Sequence, residues 1–207
     1  MSEIRNGKMA LVFDFGNVLV AWDPRLLYSK LFQNDQEVEA FLSEIAFFDW
    51  NLKQDKGRNF KKGVQELCSL FPHRAELIRA YDERWEESLG GPIKGTVEIL
   101  GQLREAGYPL YGLSNWSVEK FDLIRHRYPF FGWFDDILVS GEVGIVKPDP
   151  RVYELMLERV GKPAGNCLFI DDSKPNIEVA DQLGFQTIHF TSAAQLKEEL
   201  SRRGLLH

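Results

Sequence analysis

Residues 10–18 read Ala-Leu-Val-Phe-Asp-Phe-Gly-Asn-Val. The run Ala10–Phe15 is apolar but for Asp14, and its β-branched and aromatic content predicts a buried strand that carries one carboxylate near its end. Four more runs of this kind follow, at Pro109–Leu113, Ile137–Val139, Cys167–Ile170 and Gln186–Phe190. Helical periodicity fills most of the intervals. Asp149-Pro150 offers an N-cap and a first-turn proline ahead of Val152, Leu155, Met156 and Arg159, and Gly161 offers the stop. A second helix starts near Lys174-Pro175 by the same logic and ends at Gly184. Strands alternating with helices in this way predict an α/β fold whose parallel sheet is doubly wound, with helices on both faces.

The first two runs are too far apart for a simple connection, since roughly ninety residues stand where about a dozen would serve. Residues 24–89 carry helical periodicity, as at Val38, Phe41, Leu42 and Ile45, with no alternating pattern of comparable strength. An inserted all-α cap is predicted, with Gly90-Gly91-Pro92 as the hinge that returns the chain to the core. The expected organisation is a core of residues 1–22 and 90–207 and a helical cap at 23–89.

Composition narrows the function classes. A chain of 207 residues with 44% hydrophobic and 13% aromatic content is that of a globular protein with one main core. Its formal net charge of −6 argues against a nucleic-acid partner, whose phosphates call for clustered Lys and Arg. The pairs Lys61-Lys62 and Arg202-Arg203 are short enough to be solvated helix faces. Two cysteines, Cys68 and Cys167, sit in apolar surroundings without metal-ligand spacing, which fits a reducing cytoplasm. Arg5–Ala21 loosely mimics a secretion signal, but Asp14 interrupts it and no small-residue cleavage site follows. No stretch approaches the ~20 apolar residues of a membrane helix. The expected partner is a small metabolite, and the expected state is a monomer or weak homodimer.

Ligands of open parallel sheets bind beyond the carboxyl ends of the strands, so the residues closing each run are the ones to inspect. The first run ends in Asp14, the second in Ser114-Asn115, and the fourth in Asp171-Asp172, while Lys147 follows the third. Three carboxylates on one edge would repel strongly, by about 4 kcal/mol for two unit charges 4 Å apart at an effective dielectric of 20. Lys147 alone does not balance them. A hard divalent cation does, and oxygen-only ligands favour Mg²⁺ over zinc or copper. Cation and lysine together would cradle a phosphoryl group, to which Ser114 and the backbone amides after Asp14 and Ser114 could donate.

The motifs Asp-Phe-Gly-Asn-Val at 14–18, Leu-Ser-Asn at 113–115, Val-Lys-Pro at 146–148 and Phe-Ile-Asp-Asp-Ser at 169–173 resemble the four motifs of the haloacid dehalogenase-like (HAD) superfamily. The inserted helical region is similar to the cap of that superfamily's first cap class. The resemblance implies a phosphoric monoester hydrolase in which Asp14 is the nucleophile that becomes an aspartyl-phosphate. It implies that Ser114 and Asn115 bind the phosphoryl group and that Lys147 stabilises both nucleophile and phosphate. Asp14, Asp172 and the backbone carbonyl of Gly16 would bind Mg²⁺, with Asp171 nearby or bridged through water.

One position departs from the pattern. Most phosphatases of the superfamily carry a second aspartate two residues after the nucleophile as general acid and base, and this chain has Gly16 there. Such help is typically worth 10²–10⁴-fold, so slowed chemistry, good leaving groups or a borrowed proton donor are expected. The Asp-x-Gly-Asn-Val form resembles that of bacterial sugar-1-phosphate phosphatases, so a sugar phosphate is the favoured substrate. Two rivals share the fold: a metal-independent 2-haloacid dehalogenase, against which the acidic pair argues, and a non-catalytic binding module.

Other residues have ordinary readings. Asp23 ahead of Pro24 is expected to cap a helix. Asp55, Lys56, Gly57 and Arg58 read as a solvated polar turn or as a specificity loop facing the core. Asn176 either orients Asp172 or merely occupies a first helical turn. His73, His126 and His189 lack spaced partners and read as structural. Trp50, Trp116 and Trp133 read as packing residues, with Trp116 the one placed to wall a substrate pocket.

Overall fold

The computed structural model describes residues 7–206. The first six residues of the expected core, Arg5 of the signal-like stretch among them, and His207 lie outside the described residues. The strands are β1 (Ala10–Phe13), β2 (Val20–Trp22), β3 (Leu89–Pro92), β4 (Leu110–Ser114), β5 (Asp136–Val139), β6 (Cys167–Asp171) and β7 (Gln186–His189). Five of them form one sheet in the order β5-β4-β1-β6-β7, parallel at every step. The inserted helices are α1 (Arg25–Tyr28), α2 (Asp35–Glu44), α3 (Phe47–Asp55), α4 (Phe60–Leu70) and α5 (Ala75–Glu83). Six more follow: α6 (Lys94–Glu105), α7 (Val118–Ile124), α8 (Ser140–Val143), α9 (Pro150–Val160), α10 (Lys174–Gln182) and α11 (Ala193–Arg202).

Alternation along β1 divides the interior in two. Leu11 and Phe13 face one side, where they share a core with Ile99, Leu100 and Leu103 of α6 and with Leu196 and Leu200 of α11. Ala10 and Val12 face the other, against Val152, Tyr153 and Met156 of α9 and Ile177 and Ala180 of α10. Residues of one strand point alternately to opposite faces, so a strand apolar at every position is one covered on both. Punctuation works as the sequence implies: the Asp149 side chain accepts the Arg151 N–H at 3.0 Å to open α9, and Gly161 closes it at φ +67°.

β1 is central, and its carboxyl end is where the site forms. It stops at Phe13, two residues short of the apolar run, but the ladder makes one further bond, from Asp14 N–H to the Ile170 carbonyl at 2.9 Å. The insert is built around an aromatic cluster including Tyr28, Phe41, Phe47, Trp50, Phe60 and Tyr81, all buried. Through Trp85, Trp116, Phe121 and Phe15 this cluster is continuous with the core on one face of the sheet.

Within residues 24–88 every regular element is helical, as expected, and strand appears only at the junction with the core. Leu89–Pro92 pairs antiparallel with Val20–Trp22, so the chain leaves and re-enters the core as a two-stranded ribbon, and Gly90-Gly91-Pro92, expected as a hinge, lies in its second strand. Strands of three and four residues are too short to display a period, and Gly91, at φ +85°, reads in sequence as a turn. The register shift between Ala21 and Trp22 marks a local irregularity in the ribbon.

Candidate active site

Four chain segments meet at the carboxyl ends of β1, β4 and β6. Asp14 follows β1 and is buried; its Oδ1 accepts the Phe15 N–H at 2.7 Å and the Ser114 hydroxyl at 2.7 Å, and lies 3.0 Å from the Lys147 Nζ. None of these contacts falls on Oδ2. Lys147 is buried too, donating to the Asp171 Oδ2 at 2.6 Å and to the Leu113 carbonyl at 2.9 Å. Asp171 ends β6 with no exposure. Its Oδ1 accepts the Ser173 N–H at 2.8 Å, and the Asn176 amide donates to both of its oxygens at 3.0 and 3.1 Å. Asp172 lies at the more open edge of the group.

One oxygen from each of Asp14, Asp171 and Asp172 lies within 4.8 Å of the others. Against three carboxylates the cluster holds one lysine. Burial pushes the Asp14 carboxyl up to about 7; Lys147 and the Ser114 hydroxyl pull it down, while Asp171 and Asp172 add to the push. Asp172 is also raised, by burial and then by Asp171. Burial by itself would lower the Lys147 ammonium, but Asp14 and Asp171 more than reverse that and hold it above the ordinary lysine range. The upward push on Asp14, to about 7, and on Asp172 marks a site short of positive charge. The donors are all oxygen, and a hard divalent cation of the Mg²⁺ type fits that deficit and that chemistry.

The other expected residues fall as follows. Asn115 and Lys147 clasp each other: the Asn115 Nδ2 donates to the Lys147 carbonyl at 2.9 Å, and the Lys147 N–H donates to the Asn115 Oδ1 at 2.8 Å. Both polar atoms of Asn115 are thus committed to fixing the lysine's backbone. Gly16 lines a cavity beside the cluster, and a Cβ added to it would meet nothing within 4 Å. Asn176 holds Asp171, not Asp172: the two adjacent aspartates diverge at the strand end, and only the first turns toward the start of α10. Asp23 accepts the Arg25 N–H at 2.9 Å at the entrance to α1, as a capping residue does.

The cavity is about 180 Å³ and is a partly open cleft between the insert and the core. Aromatic rings, including Trp22, Phe60, Tyr81 and Trp116, make up much of its wall, and its ionisable groups are Asp55, Tyr81 and Lys120. Lys120 is buried by α7 packing against the insert; its Nζ donates to the Asp82 carboxylate at 2.5 Å and to the Asp82 carbonyl at 2.9 Å. Lys120 did not stand out in the sequence as a site residue, and Asp55 did so only through the second reading of its turn, as a specificity loop facing the core. Asp55 proves not to be a solvated turn residue: it ends α3 facing the core, and burial pushes its carboxyl up to about 8 against the Ser117 N–H and the Asn51 amide, which favour its charge. The clue available beforehand was position alone, a polar turn opposite the edge of the sheet.

Residues 8–184 match the sequence pattern described as haloacid dehalogenase-like hydrolase. Acyl-CoA dehydrogenase family member 10 of Mus musculus is 42% identical over 192 residues, which is 86% of this chain and 17% of that protein. D-ribitol-5-phosphate phosphatase of Bacteroides thetaiotaomicron is 25% identical over 214 residues, 92% of this chain and 96% of the relative. The chain spans 36% of the length of a further curated relative. Among solved structures, the HAD family enzyme bt-2542 of Bacteroides thetaiotaomicron, in complex with magnesium and inorganic phosphate, is similar with a TM-score of 0.69. It is 26% identical, with 90% of this chain and 96% of that one covered.

Proposed function

The chain belongs to the haloacid dehalogenase-like hydrolases, and we propose that within them it is a magnesium-dependent phosphatase of a small phosphorylated metabolite, a sugar phosphate by preference, working through an aspartyl-phosphate on Asp14. The observation that carries this is the gathering of Asp14, Asp171 and Asp172 around a single lysine, with the Asp14 Oδ2 left without the contacts that occupy Oδ1. Relatives and solved neighbours that act on or bind phosphate support it.

Each side chain has a part. The Phe15 N–H, the Ser114 hydroxyl and Lys147 hold the Oδ1 of Asp14, which presents Oδ2 for in-line attack on phosphorus. Lys147, anchored by Asp171 and by the Asn115 clasp, stays charged and offsets negative charge on nucleophile and phosphoryl oxygens. Asp14, Asp172 and the Gly16 carbonyl would hold the magnesium ion, with Asp171 adjacent. Bound there, that ion supplies charge neutralisation for the phosphoryl group. The leaving alcohol would occupy the aromatic cavity, whose volume is below the roughly 300–1,000 Å³ of pockets that take drug-sized ligands, so a small group is favoured. Residues 23–89 would act as a cap that opens to admit substrate and closes to exclude water.

A phosphate-release screen over sugar phosphates, nucleotides, phosphoamino acids and glycolytic intermediates tests the proposal. Release is expected from one or a few small esters, abolished by chelation and restored by Mg²⁺, and lost by at least 10³-fold in Asp14→Asn. Inertness on every ester, p-nitrophenyl phosphate included, would overturn it.

A further inference from the structure

An alkyl phosphate leaves as an alkoxide unless a proton reaches its oxygen, and a positioned acid is typically worth 10²–10⁴-fold in that step. Gly16, which borders the cavity from the core, has no side chain to give one. Neither a clash nor a left-handed backbone dictates glycine there, because a Cβ would enter open space and Gly16 is not among the residues of positive φ. A donor supplied by the protein would therefore come from elsewhere on the cavity wall.

Its ionisable groups are three. Lys120 is tied to Asp82 by two hydrogen bonds. Tyr81 donates its hydroxyl to the Asn51 Oδ1 at 3.3 Å, and burial followed by the charge of Asp55 raises it well above the ordinary tyrosine range. Asp55 remains, and it is held in place from several sides. The Asn51 Nδ2 donates to its Oδ2 at 3.1 Å, the Ser140 hydroxyl donates to its carbonyl at 2.6 Å, and the Ser117 backbone of the core lies beside its carboxyl. Two residues on, Gly57 comes so close to the core that a Cβ would lie 2.9 Å from the Gly141 carbonyl oxygen. The end of α3 is thus seated on the core, and Asp55 with it.

Granted the phosphatase function above, we propose that Asp55 is the proton donor to the leaving group, carried to the site by the cap. As the Asp14 Oδ2 bonds to phosphorus, the phosphorus–oxygen bond to the alcohol breaks and its electron pair stays on that oxygen. The Asp55 carboxyl proton passes to the same oxygen, which departs as a neutral alcohol. In the second step the Asp55 carboxylate takes a proton from the attacking water, whose oxygen bonds to phosphorus as the aspartyl oxygen leaves, giving inorganic phosphate, free Asp14 carboxylate and reprotonated Asp55. A carboxyl that keeps its proton at neutral pH suits such an acid. The charged or titratable groups facing it are Tyr81 of α5 and Lys120 of α7, on the same cavity wall.

The test compares kcat/KM, which reports formation of the phospho-enzyme, for p-nitrophenyl phosphate and 2-phenylethyl phosphate with Mg²⁺ across pH 5–10. The first has a leaving group that needs no acid and the second has one that does. In Asp55→Asn, the alkyl ester is expected to lose about 10²–10⁴-fold while the aryl ester stays within about three-fold. The fall in alkyl-ester rate above about pH 8 should vanish in the variant. Gly16→Asp added to Asp55→Asn should recover at least ten-fold on the alkyl ester alone, and Asp55→Ser should reproduce the split without the amide. An equal loss on both esters, as a purely structural latch would give, or an alkaline limb that survives in Asp55→Asn, would overturn the assignment of Asp55 and leave the phosphatase standing. Wild-type protein inert on both esters would overturn the two together.

Discussion

Asp14 is where competing demands on single residues are most visible. Its carboxyl sits near pH 7 because burial and two neighbouring carboxylates outweigh Lys147 and Ser114. The native metal-free protein therefore binds a proton that the unfolded chain has already released. Stability from this group is full below about pH 4 and drains away as pH rises through about 7. Asp14→Asn abolishes that dependence. With chelator present, the variant is expected to melt several degrees above wild type at pH 8, at about 2–4 °C per kcal/mol for a chain of this size, and level with it near pH 4. A gap that does not change with pH contradicts retention of a proton by the buried Asp14. Asp14, Ser114 and the Asp171-Asp172 pair were legible in the sequence because polar residues closing an apolar strand collect at one edge of the sheet, whereas Lys147, in a loop eight residues beyond β5, was legible through its Val-Lys-Pro motif. The partner of Asn176 was not legible, since which of two adjacent aspartates turns toward α10 depends on how β6 ends. Asp55 was legible only as one of two readings of its turn, because what covers it includes Ser117 and Ser140, sixty and more positions away, as well as its near neighbour Asn51.

At the scale of elements, α7 and α8 bind the insert to the core. Glu119 of α7 accepts from the Asn59 amide at 3.0 Å and from the Phe60 N–H at 3.1 Å, Lys120 grips Asp82, and Ser140 of α8 reaches the Asp55 carbonyl. Gly57 completes this seating with a left-handed φ of +89° and a close approach to Gly141. Gly57→Ala meets both a backbone conformation that L residues rarely adopt and a carbonyl oxygen in the way, a cost of about 1–3 kcal/mol. Amide exchange across α3 and α4 is expected to quicken about ten-fold or more, with β1, β4 and β6 unchanged. Uniform acceleration, or none, would show that this turn does not seat the insert. The five sheet strands were legible to within one or two residues because apolar runs between turn residues are long enough to register. The β2–β3 ribbon was not, because its short strands and paired glycines carry the composition of a loop.

The whole molecule is two apolar interiors on either side of one sheet, with the aromatic interior of the insert fused to one of them. Among the described residues, no helix is long and apolar enough to cross a membrane. This arrangement brings segments more than 150 positions apart to one edge and surrounds them with low-dielectric packing, which magnifies their mutual repulsion. Catalysis as proposed depends on a doubly positive ion relieving that repulsion. Titration calorimetry of the protein with magnesium chloride at pH 7, repeated in two buffers of different ionisation enthalpy, measures this directly. One ion per chain is expected, accompanied by net proton release as Asp14 ionises, and uptake should be lost or weakened at least ten-fold in Asp172→Asn. No uptake by wild-type protein, or equal uptake by the variant, would contradict the account.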